Sequence, residues 1–288
     1  MKYAVTGATG NLGSRVVKEL AELVDKQDIV AVVHSLSKAE DLKEEGIAVR
    51  PGDYSTIDSM VEALKNIDLL IYIPSKTYDV LERVRELENT LKAMEQAHVK
   101  ELIFVSFFAD QEKSPFVMSP YYGYAPRRLA GSGSGVDYAV VKNALYADPL
   151  VPYLPELIER QNIIYPIGEA QLSFISLDDS AEAIAKLAVQ PDLRNSGQSY
   201  LLSQEKNYSM EELGALMSEV TGKPIGYQPV TLAEFAEIYR GDGDGNELAS
   251  MYHGGALGML SAVTNDFEEI TGHAPMSMKA FLKENFSV

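Results

Sequence analysis

Residues 1–23, MKYAVTGATGNLGSRVVKELAEL, set a short apolar strand directly in front of three glycines spaced three apart, with an amphipathic helix directly after them. Tyr3, Ala4 and Val5 read as a buried parallel strand, while Val16, Val17, Leu20 and Leu23 recur at helical spacing. Gly7 permits a tight strand-to-helix reversal, Gly10 lets backbone N–H groups approach a diphosphate, and Gly13 lets the helix pack close to the strand. The start of the helix then offers unpaired N–H donors and partial positive charge to an anion. A strand, a glycine turn and a helix in this order predict a dinucleotide site.

The same alternation continues through the first half of the chain. Candidate strands fall at residues 2–6, 29–33, 48–50, 69–73, 102–106 and 138–141, and candidate helices at 14–23, 57–64, 78–97 and 124–130. Right-handed crossovers between such strands build an α/β Rossmann fold, a doubly wound parallel sheet with the nucleotide at the carboxyl ends of its strands. GSGSG at 131–135 reads as a loop before the next strand. Beyond Tyr146, Pro149, Pro152 and Pro155 mark a departure from the sheet; a helix at 178–189 and a short strand at 200–202 mark a return to it. The remainder reads as mostly helical, with capping boxes at Ser209/Glu212 and Thr231/Glu234 and a helix at 265–270 stopped by Gly272. The expected organisation is an NAD(P)-binding domain over residues 1–148, its sheet completed from within 170–205. A smaller substrate-binding cap is expected mainly from residues 149–288.

Composition narrows the function classes. A hydrophobic content of 46% over 288 residues supplies a sizeable core. With 42 acidic and 25 basic side chains the net charge is -17, and the densest basic cluster is only Arg127 with Arg128. Repulsion from a polyanion follows, so no nucleic-acid partner is expected. The chain has no cysteine, which excludes disulfides, thiolate zinc sites and cysteine nucleophiles. His34, His98, His253 and His273 are scattered, so no metal site is expected. The stretch 242–253, DGDGNELASMYH, imitates a calcium loop, but Glu247 stands at the glycine place and His253 at the place of the bidentate acid; it reads as a mobile surface loop. Too few apolar residues precede the glycine turn for a signal peptide, and no run is long enough for a membrane span. A cytoplasmic monomer or homodimer is the expectation.

The residue that reads the adenosine ribose is expected at the end of the second strand. That place holds His34, 21 residues after Gly13, where an NAD-specific site would prefer Asp or Glu. His34, Ser35 and Lys38 suit a 2′-phosphate instead, which favours NADP with NAD as the alternative. Lys38 also reads simply as the solvated start of an acidic helix. Asp53 and Tyr54 follow the third strand, where a carboxylate and a ring suit the adenine; a helix cap before Ile57 is the plainer reading. Pro74 and Ser75 end the fourth strand, where the chain passes the central ribose and nicotinamide.

Proton delivery in standard short-chain dehydrogenases needs a tyrosine and, one helical turn on, a lysine. Tyr72 with Lys76 starts inside a strand, and Tyr138 with Lys142 runs along one, where four residues span about 13 Å. Neither pair can act as that dyad. The helix that should carry it reads SPYYGYAPRRLAGSG, with Tyr121, Tyr122 and Tyr124 but only Arg128 as a following cation. A pocket wall is the plainer reading for each of the three, with Tyr122 carried as the candidate catalytic phenol. Arg128 cannot exchange its proton but could orient a phenol. In VKNALY, residues 141–146, Asn143 suits a carboxamide or a substrate carbonyl, and Tyr146 suits stacking on a flat acceptor; a turn cap is the competing reading for Asn143. Hydride transfer to a quinone does not strictly need a protein acid.

Taken together these motifs resemble the NmrA-like branch of the atypical short-chain dehydrogenases, and within it the bacterial NAD(P)H:quinone oxidoreductase type 2 group. The resemblance rests on TGATGNLG, GDY after the third strand, SF at the end of the fifth, VKNALY in place of an LRNGWY-like run, FISLDDSAEAIA and NDFEEITGHAP, in family order across nearly the whole chain. It implies that Gly7, Thr9, Gly10, Asn11, Leu12 and Gly13 bind the diphosphate. It further implies that His34 stands at the NADP-reading arginine and that Lys142, Asn143 and Tyr146 line the nicotinamide pocket. This chain departs from the family at His34, at the missing Gly-Trp of VKNALY, and at GSGSG, which shortens the helix before the sixth strand. The resemblance implies an NAD(P)H-dependent quinone-type oxidoreductase with a planar acceptor such as a quinone. The alternative is a redox sensor that binds NAD(P) without turnover and regulates a protein partner.

Overall fold

The computed structural model describes residues 1–131, 135–242 and 244–286. Strands and helices alternate as β1 (Tyr3–Thr6), α1 (Asn11–Leu23), β2 (Ile29–Val33), α2 (Glu40–Glu44), β3 (Ala48–Pro51), α3 (Ile57–Ala63), β4 (Leu69–Tyr72), α4 (Val80–Ala97), β5 (Glu101–Phe107), α5 (Ser119–Ala130) and β6 (Asp137–Asn143). There follow β7 (Leu145–Tyr146), α6 (Leu150–Arg160), β8 (Asn162–Ile163), β9 (Phe174–Ile175), α7 (Leu177–Ala188), α8 (Pro191–Arg194), β10 (Ser199–Leu202), α9 (Met210–Thr221), β11 (Gly226–Tyr227), α10 (Leu232–Ile238), α11 (Gly245–Ala256), α12 (Asp266–Thr271) and α13 (Met278–Asn285).

Two compact units divide the chain. The first comprises Met1–Ser106, Tyr121–Lys142 and Leu177–Tyr200. Its seven-stranded sheet has the order β10-β6-β5-β4-β1-β2-β3. β1 pairs in parallel with β2 and β4, β2 with β3, and β4 with β5. The order reverses beside β1, the point at which doubly wound sheets bind ligands. β1, β2 and β4 are buried at every residue, as strands covered on both faces must be. α1 turns Leu12, Val16, Val17 and Leu20 inward at helical spacing.

The second unit comprises Phe107–Pro120, Asn143–Ser176 and Leu201–Val288. It holds two small parallel pairs, β7 with β9 and β8 with β11, and most of the later helices. Both capping boxes form, at Ser209/Glu212 on α9 and Thr231/Glu234 on α10.

Two expectations need correction. The proline-rich stretch after Asp148, which departs from the sheet, is the helix α6. Pro152 lies in its first turn, where no intrahelical N–H bond is lost, and buried Leu150, Leu154 and Leu157 hold the rest, Pro155 included. The supposed surface loop 242–253 is largely α11. Asp244 caps it by accepting from the amides of Asn246 (3.0 Å) and Glu247 (3.3 Å). Gly245 lies so close to α10 that a β-carbon there would stand 2.1 Å from the Ala236 carbonyl oxygen. Of that stretch Gly243 lies outside the described residues, as do residues 132–134 of the GSGSG loop. The helix expected from residue 124 begins at Ser119, with Pro120 in its first turn. No helix among the described residues is long and apolar enough to cross a membrane.

Candidate functional site

At the end of β1 the fully buried Thr6 hydroxyl accepts from the amide of Ile73 at 2.9 Å, tying β1 to the residue after β4. The chain then reverses through Gly7, whose φ of +61° is left-handed, and the Gly10 amide donates to the Gly7 carbonyl at 2.8 Å. A β-carbon on Gly13 would stand 2.1 Å from the Gly7 oxygen, and one on Gly10 3.1 Å from it. Close approach of helix to strand therefore requires glycine at 13. Gly10 is the N-cap of α1, it brings no side-chain acceptor, and the first turn contains no acidic residue. The amides of Asn11, Leu12 and Gly13 thus open a helix whose positive end nothing in its own cap neutralises. Thr9 is half-buried in the turn. This donor set fits an anionic diphosphate.

His34 is exposed just past β2, and Ser35 caps the short 3₁₀ turn Leu36–Lys38, its hydroxyl 3.0 Å from that of Ser37. Lys38 ends that turn on the surface. Past β3 the Asp53 carboxylate accepts from the Ser55 amide (2.9 Å) and hydroxyl (2.7 Å), which hold it below the usual carboxylate range; His34 adds a smaller pull in the same direction. Asp53 closes its own turn, and Thr56 takes the N-cap place of α3. Tyr54 turns its hydroxyl inward to donate to the Ile73 carbonyl at 2.7 Å, and its ring stands 5.2 Å from that of Tyr72. Burial pushes this phenol well above its ordinary range. Pro74 is half-buried, and Ser75 donates to the Glu86 carboxylate at 2.6 Å. Burial raises the Glu86 carboxyl above its ordinary value.

Beside them stands an aromatic cluster that no single sequence window shows. Tyr72 lies 5.7 Å from Phe104, Phe104 lies 6.2 Å from Tyr121, and Tyr121 lies 5.4 Å from the half-buried Tyr122. Arg83 of α4 closes this cluster: Nη1 donates to the Tyr122 hydroxyl at 2.9 Å and Nε to the Thr77 carbonyl at 2.8 Å. Its guanidinium also faces the rings of Tyr121 and Tyr122 at 5.5 and 5.8 Å. The arginine on Tyr122 is therefore Arg83. Arg128 pairs instead with Glu88 at 2.7 Å, sharing it with the Tyr124 hydroxyl. Sequence reasoning passed over Arg83 and Glu86. The available signal was their place on the buried stripe of α4, with Leu87, Thr90, Leu91 and Met94.

In the second unit Asn143 is 1% exposed, and its Nδ2 donates to the Tyr146 hydroxyl at 3.0 Å. Backbone bonds hold this run on both sides. The Asn143 carbonyl accepts from the Phe108 amide at 3.3 Å, and the Ala144 amide donates to Leu202 at 2.9 Å. Tyr146 is thus a fixed, partly exposed ring. Lys142 is half-buried in β6. Tyr138 shares that strand with Lys142, and Tyr72 is buried at the end of β4, so neither makes a one-turn dyad with its lysine.

Residues 7–149 match a family model described as NAD(P)H-binding. The chain belongs to the NAD(P)H-binding family. This NAD(P)H-binding protein is 40% identical to the crystal structure of a nucleoside-diphosphate-sugar epimerase from Staphylococcus aureus, with a TM-score of 0.92 and coverage of 98% of this chain and 100% of that one. An NADPH-dependent quinone oxidoreductase from Escherichia coli, solved with NADPH, is 27% identical, with a TM-score of 0.90 and coverage of 99% and 100%. A triphenylmethane reductase from Citrobacter, solved with NADP(H), is also 27% identical, with a TM-score of 0.88 and the same coverage, 99% and 100%. On α5 of this NAD(P)H-binding protein, the positions four after Tyr121, Tyr122 and Tyr124 are Ala125, Pro126 and Arg128, none of them a lysine.

Proposed function

We propose that this protein is an oxidoreductase that passes hydride from NADPH, or less readily NADH, to a quinone or similar planar acceptor. The observation that carries the reading is the glycine-packed, uncapped first turn of α1, an anion cradle at the point where the strand order reverses. When bound, the reduced nicotinamide supplies the hydride. The amides of Asn11, Leu12 and Gly13, with Gly7, Thr9 and Gly10 shaping the turn, hold the diphosphate. His34, Ser35 and Lys38 receive the 2′-phosphate. Asp53 and Tyr54 border the adenosine side, and Pro74 and Ser75 the central ribose. Lys142 and Asn143 line the nicotinamide side, and Asn143 keeps the Tyr146 ring in place to stack on a flat acceptor. Tyr122 donates a proton to the acceptor oxygen. The acceptor-binding surface is assigned mainly to residues 149–288.

The Escherichia coli and Citrobacter reductases, alike across the full length, support the redox reading. A second reading, sugar epimerisation, is favoured by the Staphylococcus aureus relative. It sits less well with an α5 that places no lysine one turn after a tyrosine. One experiment separates the readings: purified protein with NADPH is offered a panel of quinones and, in parallel, nucleoside-diphosphate sugars. Quinone-dependent oxidation of NADPH is expected. Sugar interconversion without net loss of the nucleotide would establish the epimerase, and NADPH binding with no turnover of either class would establish a sensor.

A further inference from the structure

Arg83 is 8% exposed, and among the described residues its hydrogen bonds go to a backbone carbonyl and a phenol, not to a carboxylate. A buried guanidinium without a hydrogen-bonded anion is costly, and helix packing alone gives no reason for it. Glu86, three residues on, is near enough to feel the charge but accepts its hydrogen bond from Ser75. Among the described residues, the one side chain that Arg83 hydrogen-bonds is Tyr122.

Resting on the redox reading above, we infer that Arg83 is a positioning residue that prepares Tyr122 as the proton donor to the acceptor. The guanidinium occupies a lone pair of the Tyr122 oxygen at 2.9 Å and braces the chain at Thr77, so the phenol's own proton is directed away from Arg83. As the acceptor gains hydride with its electron pair, the Tyr122 O–H bond breaks and the proton passes to the acceptor oxygen. The phenolate left behind is balanced by the Arg83 charge, and water returns the proton. This is the task a lysine performs from the same helix in standard short-chain dehydrogenases, carried out here by a cation from α4. The ionisable groups around the pair are Glu82 and Glu86 on α4, Tyr121 on α5, and Tyr72 on β4. Burial, which disfavours a phenolate, pushes Tyr72 and Tyr121 up, so both stay neutral beside the pair.

The test begins with the full chain, without cofactor, labelled with carbon-13 at the tyrosine ζ position. The Tyr122 resonance is assigned by its loss in Tyr122→Phe. Replacing Arg83 by Met is expected to move the Tyr122 titration upward by about one unit or more, and Arg83→Lys to move it less. An unchanged titration in Arg83→Met would overturn the coupling. In quinone reduction Arg83→Met should lower kcat by about ten- to a hundredfold with NADPH affinity unchanged, and should cost nothing further in a Tyr122→Phe background. Equal losses in both backgrounds, or a parallel loss of NADPH affinity, would make Arg83 merely structural. Should Arg83→Met not fold, as judged by circular dichroism and a thermal melt, Arg83→Lys carries the same comparison at smaller amplitude. A wild-type protein that reduces no acceptor would defeat the proposed function, while the titration would still decide whether the two residues are coupled.

Discussion

Gly13 lies directly against the carbonyl of Gly7, leaving 2.1 Å where a β-carbon would have to sit. The obstacle is backbone, which cannot swing aside as a side chain would. Gly13→Ala is therefore expected to push α1 off the turn, lowering both the melting temperature and NADPH affinity, the latter by tenfold or more on the order of 1.4 kcal/mol. Gly10→Ala, at 3.1 Å, should do less. Fluorescence titration with NADPH and a thermal melt of each variant measure this; equal behaviour of the two variants would argue against the packing role.

Thr6 supplies a buried acceptor to the Ile73 amide. Thr6→Val keeps the shape and removes the oxygen, stranding that amide at a cost of about 1–3 kcal/mol. Chemical denaturation reads the loss, and a variant as stable as the parent would show that the tie between β1 and β4 carries no weight.

The proposed function gives the 2′-phosphate to the exposed His34 just past β2. His34→Arg is expected to raise the preference for NADPH over NADH, because arginine offers a fixed charge and a forked donor, and His34→Ala to lower it. The ratio of kcat/KM for the two nucleotides measures both shifts. A ratio unmoved by either change would place the phosphate elsewhere.

The Asn143–Tyr146 bond predicts an effect on the acceptor alone. Tyr146→Phe loses the bond at 3.0 Å but keeps the ring, so the acceptor KM should rise about fivefold, roughly 1 kcal/mol, with NADPH affinity unchanged. Loss of nucleotide binding in that variant would contradict the assignment.

Glu86 predicts a pH dependence of stability. Its carboxyl lies above the ordinary 4.5, so over the window that opens at that value the folded chain holds more protons than the unfolded one. Stability therefore falls as pH rises through the window. Glu86→Gln, which can still accept from Ser75, should remove this slope. The difference between the two denaturation midpoints, followed from pH 4.5 upward, should grow in favour of the variant; parallel curves would refute the burial argument.

The first βα turn and the alternating half of the chain were legible because their signals are local: glycine spacing, a buried strand, a helical stripe. α6 and α11 were not. A proline in the first turn of a helix looks like a breaker when the start of the helix is unknown, and Asp244 looks like a calcium ligand until Asn246 and Glu247 turn their amides onto it. The Arg83–Tyr122 pair joins residues 39 apart on two helices, and a charged residue on a helix ordinarily reads as solvated. Only the fold brings it under the tyrosines.

NADPH deuterated at the transferable position of nicotinamide C4, mixed with purified protein and a quinone, reads hydride transfer itself. Quinone-dependent loss of the near-ultraviolet absorbance of NADPH is expected, slowed by the deuterium, with the label recovered in the reduced product or exchanged from its hydroxyl into water. Saturable binding of NADPH with no quinone-dependent oxidation would contradict it.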